Sequence, residues 1–150
     1  MADGQGHTTY DVIVVGMGPA GATAAAALSR GGLAVLGLDK ESHPRYKVCG
    51  GGLSARIDHV LEPGFRSVVE QSVNGVQFVY RGQDPLLIQS PRPIAYMVMR
   101  DRFDHYLVQE ALRAGTDIRT GYGVIEIQQD PQGVEVATAQ GRYRAKIVIG

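Results

Sequence analysis

A glycine-rich segment and a single carboxylate are the residues of this sequence best suited to chemistry. Residues 16–21 read Gly-Met-Gly-Pro-Ala-Gly and fit the pattern G-x-G-x-x-G. Gly16 permits a tight turn, Gly18 lets the backbone approach a diphosphate, and Gly21 lets a helix lie close to a strand. Asp39 lies eighteen residues after Gly21, where a carboxylate accepts hydrogen bonds from an adenosine ribose. The spacing therefore predicts a dinucleotide-binding site.

The residues around this segment predict the elements that would position it. Residues 10–15 are apolar and rich in β-branched side chains, as in a strand buried within a parallel sheet. Residues 20–30 are rich in alanine and are followed by two glycines, which predicts a helix whose N-terminus faces the phosphates. Residues 33–38 predict a second strand, which ends at Asp39. This order of elements favours a nucleotide-binding βαβ unit over a structural glycine turn.

The acid at the end of the second strand also bears on which dinucleotide is bound. A carboxylate suits the free 2′-hydroxyl of FAD or NAD, whereas an arginine would suit NADP. Lys40, next to Asp39, weakens this preference. The residues alone therefore leave FAD and NAD open.

The composition narrows the classes of function. The chain has 150 residues, enough for one domain, and its fifteen basic and fifteen acidic residues leave no net charge to attract nucleic acid or an anionic membrane. Cys49 is the only cysteine, which excludes an internal disulfide and favours a reducing compartment. No apolar run approaches the roughly 18 residues of a membrane span. Residues 1–9, which we expect to be flexible, lack the apolar core of a signal peptide. A cytoplasmic protein is therefore predicted.

The middle of the chain predicts a loop and short elements rather than further βα units. Residues 41–52 form a loop that ends in three consecutive glycines, which we interpret as functional rather than as a flexible connector. Ser54 is a suitable N-cap for a short helix to about residue 60, and residues 65–71 predict one or two further helical turns. Apolar runs separated by turns then predict an antiparallel β platform at about residues 72–99, inserted into the nucleotide-binding domain.

The last third of the chain predicts a helix followed by strands. Asp101 is a suitable N-cap for a helix through Ala114, and Gly115 would end it. Strands are predicted at residues 117–120, 123–128, 134–139 and 142–149. The four histidines lack the spacing of metal ligands, so no metal site is predicted, and His105 is interpreted as a surface residue of the helix.

Three segments of the sequence together are similar to segments of a known family. Residues 11–21 read D-V-I-V-V-G-M-G-P-A-G, a segment that fits many flavoproteins and nicotinamide enzymes. Residues 44–54 read P-R-Y-K-V-C-G-G-G-L-S, and residues 98–107 contain R-D-R-F-D-H-Y-L, which is similar to R-x-x-F-D-x-x-L. Together they resemble the FAD-dependent geranylgeranyl reductase family, a branch of the group that includes para-hydroxybenzoate hydroxylase. The second segment is the most specific to that branch.

The resemblance covers nearly the whole chain and implies an α/β fold, namely a Rossmann-like FAD-binding βαβ unit with inserted antiparallel strands. Members of the family continue after a strand like residues 147–150 with a D-G motif and a substrate domain. The resemblance therefore implies that residues 1–150 are the N-terminal part of an FAD-binding domain and that the remainder of the enzyme is absent. We expect the 150-residue chain alone not to turn over substrate.

The resemblance also implies FAD as the cofactor and a set of residues that bind it. Arg100 would contact phosphate or ribityl oxygens unless it is a solvated surface arginine, and Val124 would contact the adenine through its backbone. Cys49 would lie near the isoalloxazine ring, or else be a small buried residue, and no catalytic residue is assigned. We expect the glycines of this loop to serve the flavin, so that Gly51→Val would change the stability little. The implied cofactor-binding residues are Gly16, Gly18, Pro19, Ala20, Gly21, Asp39, Lys40, Cys49, Gly50, Gly51, Arg100 and Val124.

The implied reaction is hydride transfer from reduced FAD to an alkene of a geranylgeranyl or other polyprenyl substrate. The electron donor would be NAD(P)H or ferredoxin, and the prenyl substrate would bring a cytoplasmic protein to the periphery of a membrane. Two alternatives stay open. One is an FAD-dependent aromatic monooxygenase or halogenase, and the other is a non-catalytic dinucleotide-binding fragment.

Overall fold

A computed structural model describes residues 9–150, which fold into two compact units. Among the described residues, the first unit contains residues 9–45 and 104–150, and the second contains Tyr46–Phe103. The segment that we expected to be flexible lies outside the described residues except for Thr9, which begins the first strand. No helix within residues 9–150 is long and apolar enough to cross a membrane.

Eleven strands and two α-helices are found among the described residues. In chain order they are β1 (Thr9–Val15), α1 (Pro19–Arg30), β2 (Val35–Asp39), β3 (Gly52–Ser54), β4 (Val69–Val73), β5 (Gly75–Phe78), β6 (Leu86–Gln89), β7 (Ala95–Val98), α2 (Arg100–Arg113), β8 (Asp117–Thr120), β9 (Val124–Asp130), β10 (Gly133–Thr138) and β11 (Gly141–Ile149). Two 3₁₀ helices lie between β3 and β4, at Ala55–His59 and Pro63–Val68.

The first unit is built on a six-stranded sheet in the order β8-β2-β1-β11-β10-β9. The first four of these strands run parallel, and β11, β10 and β9 pair antiparallel. Val15 of β1 is aligned with Leu38 of β2, and Val14 with Ile149 of β11. This arrangement confirms the α/β class and the βαβ unit that the sequence predicted.

The buried interior of the first unit explains why the sequence of β1 and β2 is apolar on both faces. Ile13, Leu36, Leu38 and Val136 are fully buried. Helix α1 contributes mainly small side chains, of which Ala22, Ala25 and Ala26 are buried. Such small residues let the helix backbone approach the sheet closely, and the burial of the β-branched and leucine side chains supplies the free energy that holds the strands together.

The second unit consists of a three-stranded sheet in the order β3-β7-β4 and of the hairpin β5-β6, all with antiparallel pairing. Phe65 is fully buried and packs edge-on against Tyr96, with 5.8 Å between the ring centroids. The inserted antiparallel strands are therefore confirmed. The predicted helical turns at residues 65–71 are wrong in their second half, because Val69–Val73 pairs with β7 as strand β4.

Two further local predictions differ from the structure in instructive ways. Ser54 does cap a short helix, since its Oγ accepts a hydrogen bond from the Arg56 N–H, but that helix is 3₁₀ rather than α. Asp101 is not the N-cap of α2, because the N–H of Phe103 already donates to the carbonyl of Met99 at 2.9 Å. The helix therefore begins at Arg100, and Asp101 lies in its first turn.

The structure around Gly51 contradicts the prediction that Gly51→Val would change the stability little. The φ of Gly51 is +70°, and a Cβ placed there would overlap the carbonyl oxygen of Val98. The same two residues are joined by a hydrogen bond of 2.9 Å from the Val98 N–H to the Gly51 carbonyl. Because the obstacle is backbone, Gly51→Val would destabilise the unit and not leave its stability unchanged.

Candidate functional site

The glycine loop between β1 and α1 is tied to the end of β2. The N–H of Gly16 donates to the carbonyl of Leu38 at 2.7 Å, and the N–H of Met17 donates to Oδ2 of Asp39 at the same distance. Gly16 has a φ of +92°, a conformation that L side chains rarely adopt. The first glycine thus makes the sharp turn, and β2 fixes its position.

The N-terminus of α1 offers N–H groups to a ligand. Gly18 is the N-cap and carries no side chain that could cap the helix, and Pro19 occupies the first turn. A cavity of about 370 Å³ opens beside these residues. Uncapped N–H groups and the positive end of the helix dipole favour an anion at this place. The lining residues of the cavity are Val14, Val15, Gly16, Gly18, Pro19, Ala20, Gly21, Ala24, Ile149 and Gly150.

The second and third glycines differ in what a side chain would meet. A Cβ on Gly18 would have its nearest neighbour, Nη2 of Arg45, at 3.6 Å, which is an ordinary van der Waals contact and no clash. A Cβ on Gly21 would overlap the carbonyl oxygen of Gly16 and lie 3.2 Å from Cγ1 of Val14. Gly18 therefore leaves room for a ligand, and Gly21 lets the helix pack against the loop. These residues fit the diphosphate of a dinucleotide.

Asp39 is buried and is already engaged by neighbouring donors. Its Oδ2 accepts the Met17 N–H and faces Nε2 of His43 at 3.3 Å, and its Oδ1 accepts the Glu41 N–H at 2.9 Å. Because a carboxylate only accepts, Nε2 is the donor in the His43 contact. The carboxylate therefore holds the glycine loop in place. Its predicted contact with an adenosine ribose stays a prediction.

The hydrogen bonds to Asp39 also set the direction of its pKa. Burial alone would raise the pKa of this carboxyl, but the N–H groups of Glu41 and Met17 and the His43 ring outweigh it and lower the pKa below its ordinary value of 3.8. A lowered pKa in the folded state means that the ionised carboxylate stabilises the fold. This stabilisation is complete above about pH 4 and is lost as the pH falls through the folded-state pKa.

We therefore expect Asp39→Asn to destabilise the protein most at neutral pH. The variant loses an acceptor for backbone N–H groups, whereas acid removes the same charge from the parent protein. Urea unfolding of both proteins between pH 2 and pH 7 measures the difference in unfolding free energy, which should shrink as the pH falls below about 4. A difference that is constant over this range would contradict the assigned role.

Lys40 directly follows β2 and lies near the segment that leads into Val124, the first residue of β9. The N–H of Tyr122 donates to the carbonyl of Asp39 at 2.8 Å, and the Cβ of Lys40 is 3.6 Å from where a Cβ on Gly123 would lie. Val124 is half-buried and packs against the core of the first unit. The first unit thus brings together the predicted site residues from Gly16 to Lys40 and Val124, although their contacts with a ligand stay predictions.

The other predicted site residues belong to the second unit. Cys49 is exposed, so the alternative that it is a small buried residue is wrong. Its Sγ accepts a hydrogen bond from the Gly51 N–H at 3.4 Å. Gly50 has open space where a Cβ would lie, and Arg100 is half-buried at the start of α2. The predicted contacts of these residues with a flavin stay predictions.

Four polar residues of the first unit were not recognised from the sequence as buried or half-buried, namely His43, Arg45, Asp104 and His105. His43 contacts Asp39, and Arg45 forms an ion pair with Asp104 in which Nη2 and Oδ2 are 3.2 Å apart. His105, expected at the surface, is half-buried, and its Nδ1 is buried without a hydrogen-bond partner among the residues described. The signal for Arg45 and Asp104 was their presence in two of the three family-like segments.

Comparison with known proteins gives one family and several relatives. The model of the family described as "FAD binding domain" matches residues 9–149. The digeranylgeranylglycerophospholipid reductase of Thermoplasma acidophilum is 34% identical over 149 residues, which cover 93% of this chain and 36% of that protein.

Two solved structures share the fold over most of the chain. A geranylgeranyl bacteriochlorophyll reductase-like protein from Thermoplasma acidophilum is 29% identical with a TM-score of 0.82, over 95% of this chain and 39% of that one. The myxobacterial chondrochloren halogenase CndH is 26% identical with a TM-score of 0.79, over 93% and 36%. This chain therefore spans a little over a third of the length of these relatives.

Proposed function

This chain belongs to the FAD binding domain family, and on that basis we propose that it is the FAD-binding part of a flavin-dependent oxidoreductase that reduces alkenes of a geranylgeranyl or other polyprenyl substrate. The cofactor is FAD. The observation that carries the choice of reaction is the 34% identity to a digeranylgeranylglycerophospholipid reductase over 93% of the chain. The segment at residues 44–54 supports the same choice.

The residues of the first unit would bind the ADP part of FAD. The open backbone at Gly18 and the uncapped N-terminus of α1 would donate hydrogen bonds to the diphosphate. Asp39 would keep the loop in position through the Met17 N–H and would reach the ribose with its remaining acceptor capacity. Pro19, Ala20 and Gly21 would supply the first helical turn that faces the phosphates.

The residues of the second unit would serve the flavin part. Arg100 would donate to phosphate or ribityl oxygens, and Cys49, Gly50 and Gly51 would lie near the ring. When bound and reduced, FAD supplies a hydride to the substrate alkene. The protein residues would orient the ring and exclude water from it. NAD(P)H or ferredoxin would be the source of electrons, and a polyprenyl lipid would bring the protein to a membrane surface.

A second candidate function is halogenation or hydroxylation by the same type of flavoprotein. It is favoured by the likeness to the chondrochloren halogenase, at 26% identity and a TM-score of 0.79. We prefer reduction because the named reductase is 34% identical to this chain, whereas the halogenase is 26% identical. The two reactions need different co-substrates, since halogenation and hydroxylation consume O₂ and alkene reduction does not.

The test is a product analysis with the full-length protein loaded with FAD. We expect that, after reduction by dithionite without O₂, incubation with a geranylgeranyl lipid adds two hydrogens for each double bond reduced, as measured by mass spectrometry. The control is the same protein with O₂, halide and a phenol. A halogenated or hydroxylated phenol, together with an unchanged lipid, would contradict the reductase and support the alternative.

A further inference from the structure

We infer that Arg45 is a diphosphate-binding residue of the FAD site and that Asp104 is its positioning residue. The inference rests on the proposed function, because it takes the glycine loop as the place where the diphosphate of FAD lies. It assigns a role to an ion pair that neither the glycine motif nor the family match explains.

Arg45 lies beside Gly18, the loop glycine that is the N-cap of α1 and lines the cavity. Its Nη2 is 3.6 Å from the position that a Cβ on Gly18 would take, so the guanidinium faces the side of Gly18 that has no side chain. The arginine side chain is only 14% exposed, so its guanidinium lies near the loop and not in solvent. A diphosphate against the Gly18 backbone would therefore lie within reach of this cation.

The guanidinium of Arg45 has N–H donors that Asp104 does not use. Arginine carries five N–H donors, and Nη2 is used by Oδ2 of Asp104 at 3.2 Å. Nη1 is buried and has no hydrogen-bond partner within residues 9–150. A buried donor without an acceptor costs free energy, and phosphate oxygens are acceptors that arginine binds in pairs. The arrangement thus favours an anionic ligand next to the loop.

Asp104 is the residue that holds the Arg45 guanidinium beside the glycine loop. Its side chain is completely buried in the first unit, on α2. A buried ion pair contributes little net stability, because the desolvation of both charges offsets their attraction. An ordered carboxylate that fixes the direction of a guanidinium is therefore better explained by ligand binding than by folding.

The test compares ADP with adenosine, which differ only in the diphosphate. The dissociation constants of both are measured by competition with FAD, followed by flavin fluorescence, in the full-length protein. Asp104→Asn keeps an oxygen acceptor for Nη2, so its preference for ADP over adenosine should equal that of the parent. Arg45→Met in the Asp104→Asn background removes the cation without leaving a buried charge unpaired, and it should lower the preference by about tenfold or more.

Two further variants separate positioning from a structural role. Asp104→Leu removes the acceptor at similar volume, and the ADP preference should fall towards that of the double variant. Arg30→Met is the matched control, because Arg30 pairs with Glu110 at the other end of α1, and it should leave the preference unchanged. An ADP preference equal to the parent's in the double variant would overturn the role of Arg45, and a parent-like Asp104→Leu would overturn that of Asp104. Neither readout involves turnover, so a failed alkene reduction bears only on the proposed reaction.

Discussion

Gly21→Ala is expected to destabilise the protein by about 3 kcal/mol or more, at or above the upper end of the usual effect of overpacking. The added Cβ would overlap the carbonyl oxygen of Gly16 and press on Cγ1 of Val14 at 3.2 Å. The oxygen belongs to the backbone of the glycine loop, which is itself held by the Gly16 hydrogen bond to Leu38. Neither the Gly16 carbonyl nor the Val14 side chain can move away without separating α1 from the sheet.

The measurement is thermal unfolding without added FAD, so that ligand binding does not contribute to the stability. A loss of this size should lower the midpoint by about 10 °C or prevent folding altogether. Gly18→Ala is the matched control, because it adds the same methyl group three residues earlier where the nearest atom is 3.6 Å away. If the two variants unfold at the same temperature, the close approach of α1 to the loop is not as described.

The first βαβ unit could be predicted from the sequence because its signals are local. The apolar strand, the glycine spacing and the alanine-rich helix each determine their own conformation, and β1, α1 and β2 lie where the pattern indicated, with β2 beginning at Val35 instead of Leu33. The predicted role of Gly21 as a close-packing glycine agrees with the structure for the same reason.

The second unit was harder to predict because its elements are short and depend on partners elsewhere in the chain. The strand Val69–Val73 has five residues, and its pairing with β7 rather than its own composition makes it a strand. The loop that contains Gly51 was likewise interpreted as functional, and no local pattern indicates that the carbonyl of Val98 lies against this glycine. Tertiary contacts of this kind override local propensity.

The polar interior of the candidate site could be predicted least. The sequence predicted Asp39 as a ribose acceptor, but not that the N–H groups of Met17 and Glu41 engage it. Arg45 and Asp104 are distant in the sequence, and their ion pair arises only when α2 packs into the first unit. A charged residue in a loop gives no local sign that it will be buried.

Gly18→Ala is expected to separate ligand binding from folding. Gly18 has a φ of −72° and an extended ψ, which alanine adopts without strain, so the stability should change by only about 1 kcal/mol or less. The methyl group would instead occupy the open side of the loop where we place the diphosphate. Overpacking at that point should weaken FAD binding by about tenfold to a hundredfold.

The dissociation constant of FAD for Gly18→Ala, measured against that of the parent by flavin fluorescence, tests the placement of the cofactor most directly. We expect a clearly weaker complex in a variant whose unfolding midpoint without FAD stays within a few degrees of the parent's. A variant that folds as well as the parent and binds FAD with the same dissociation constant would contradict the placement of the diphosphate on the glycine loop.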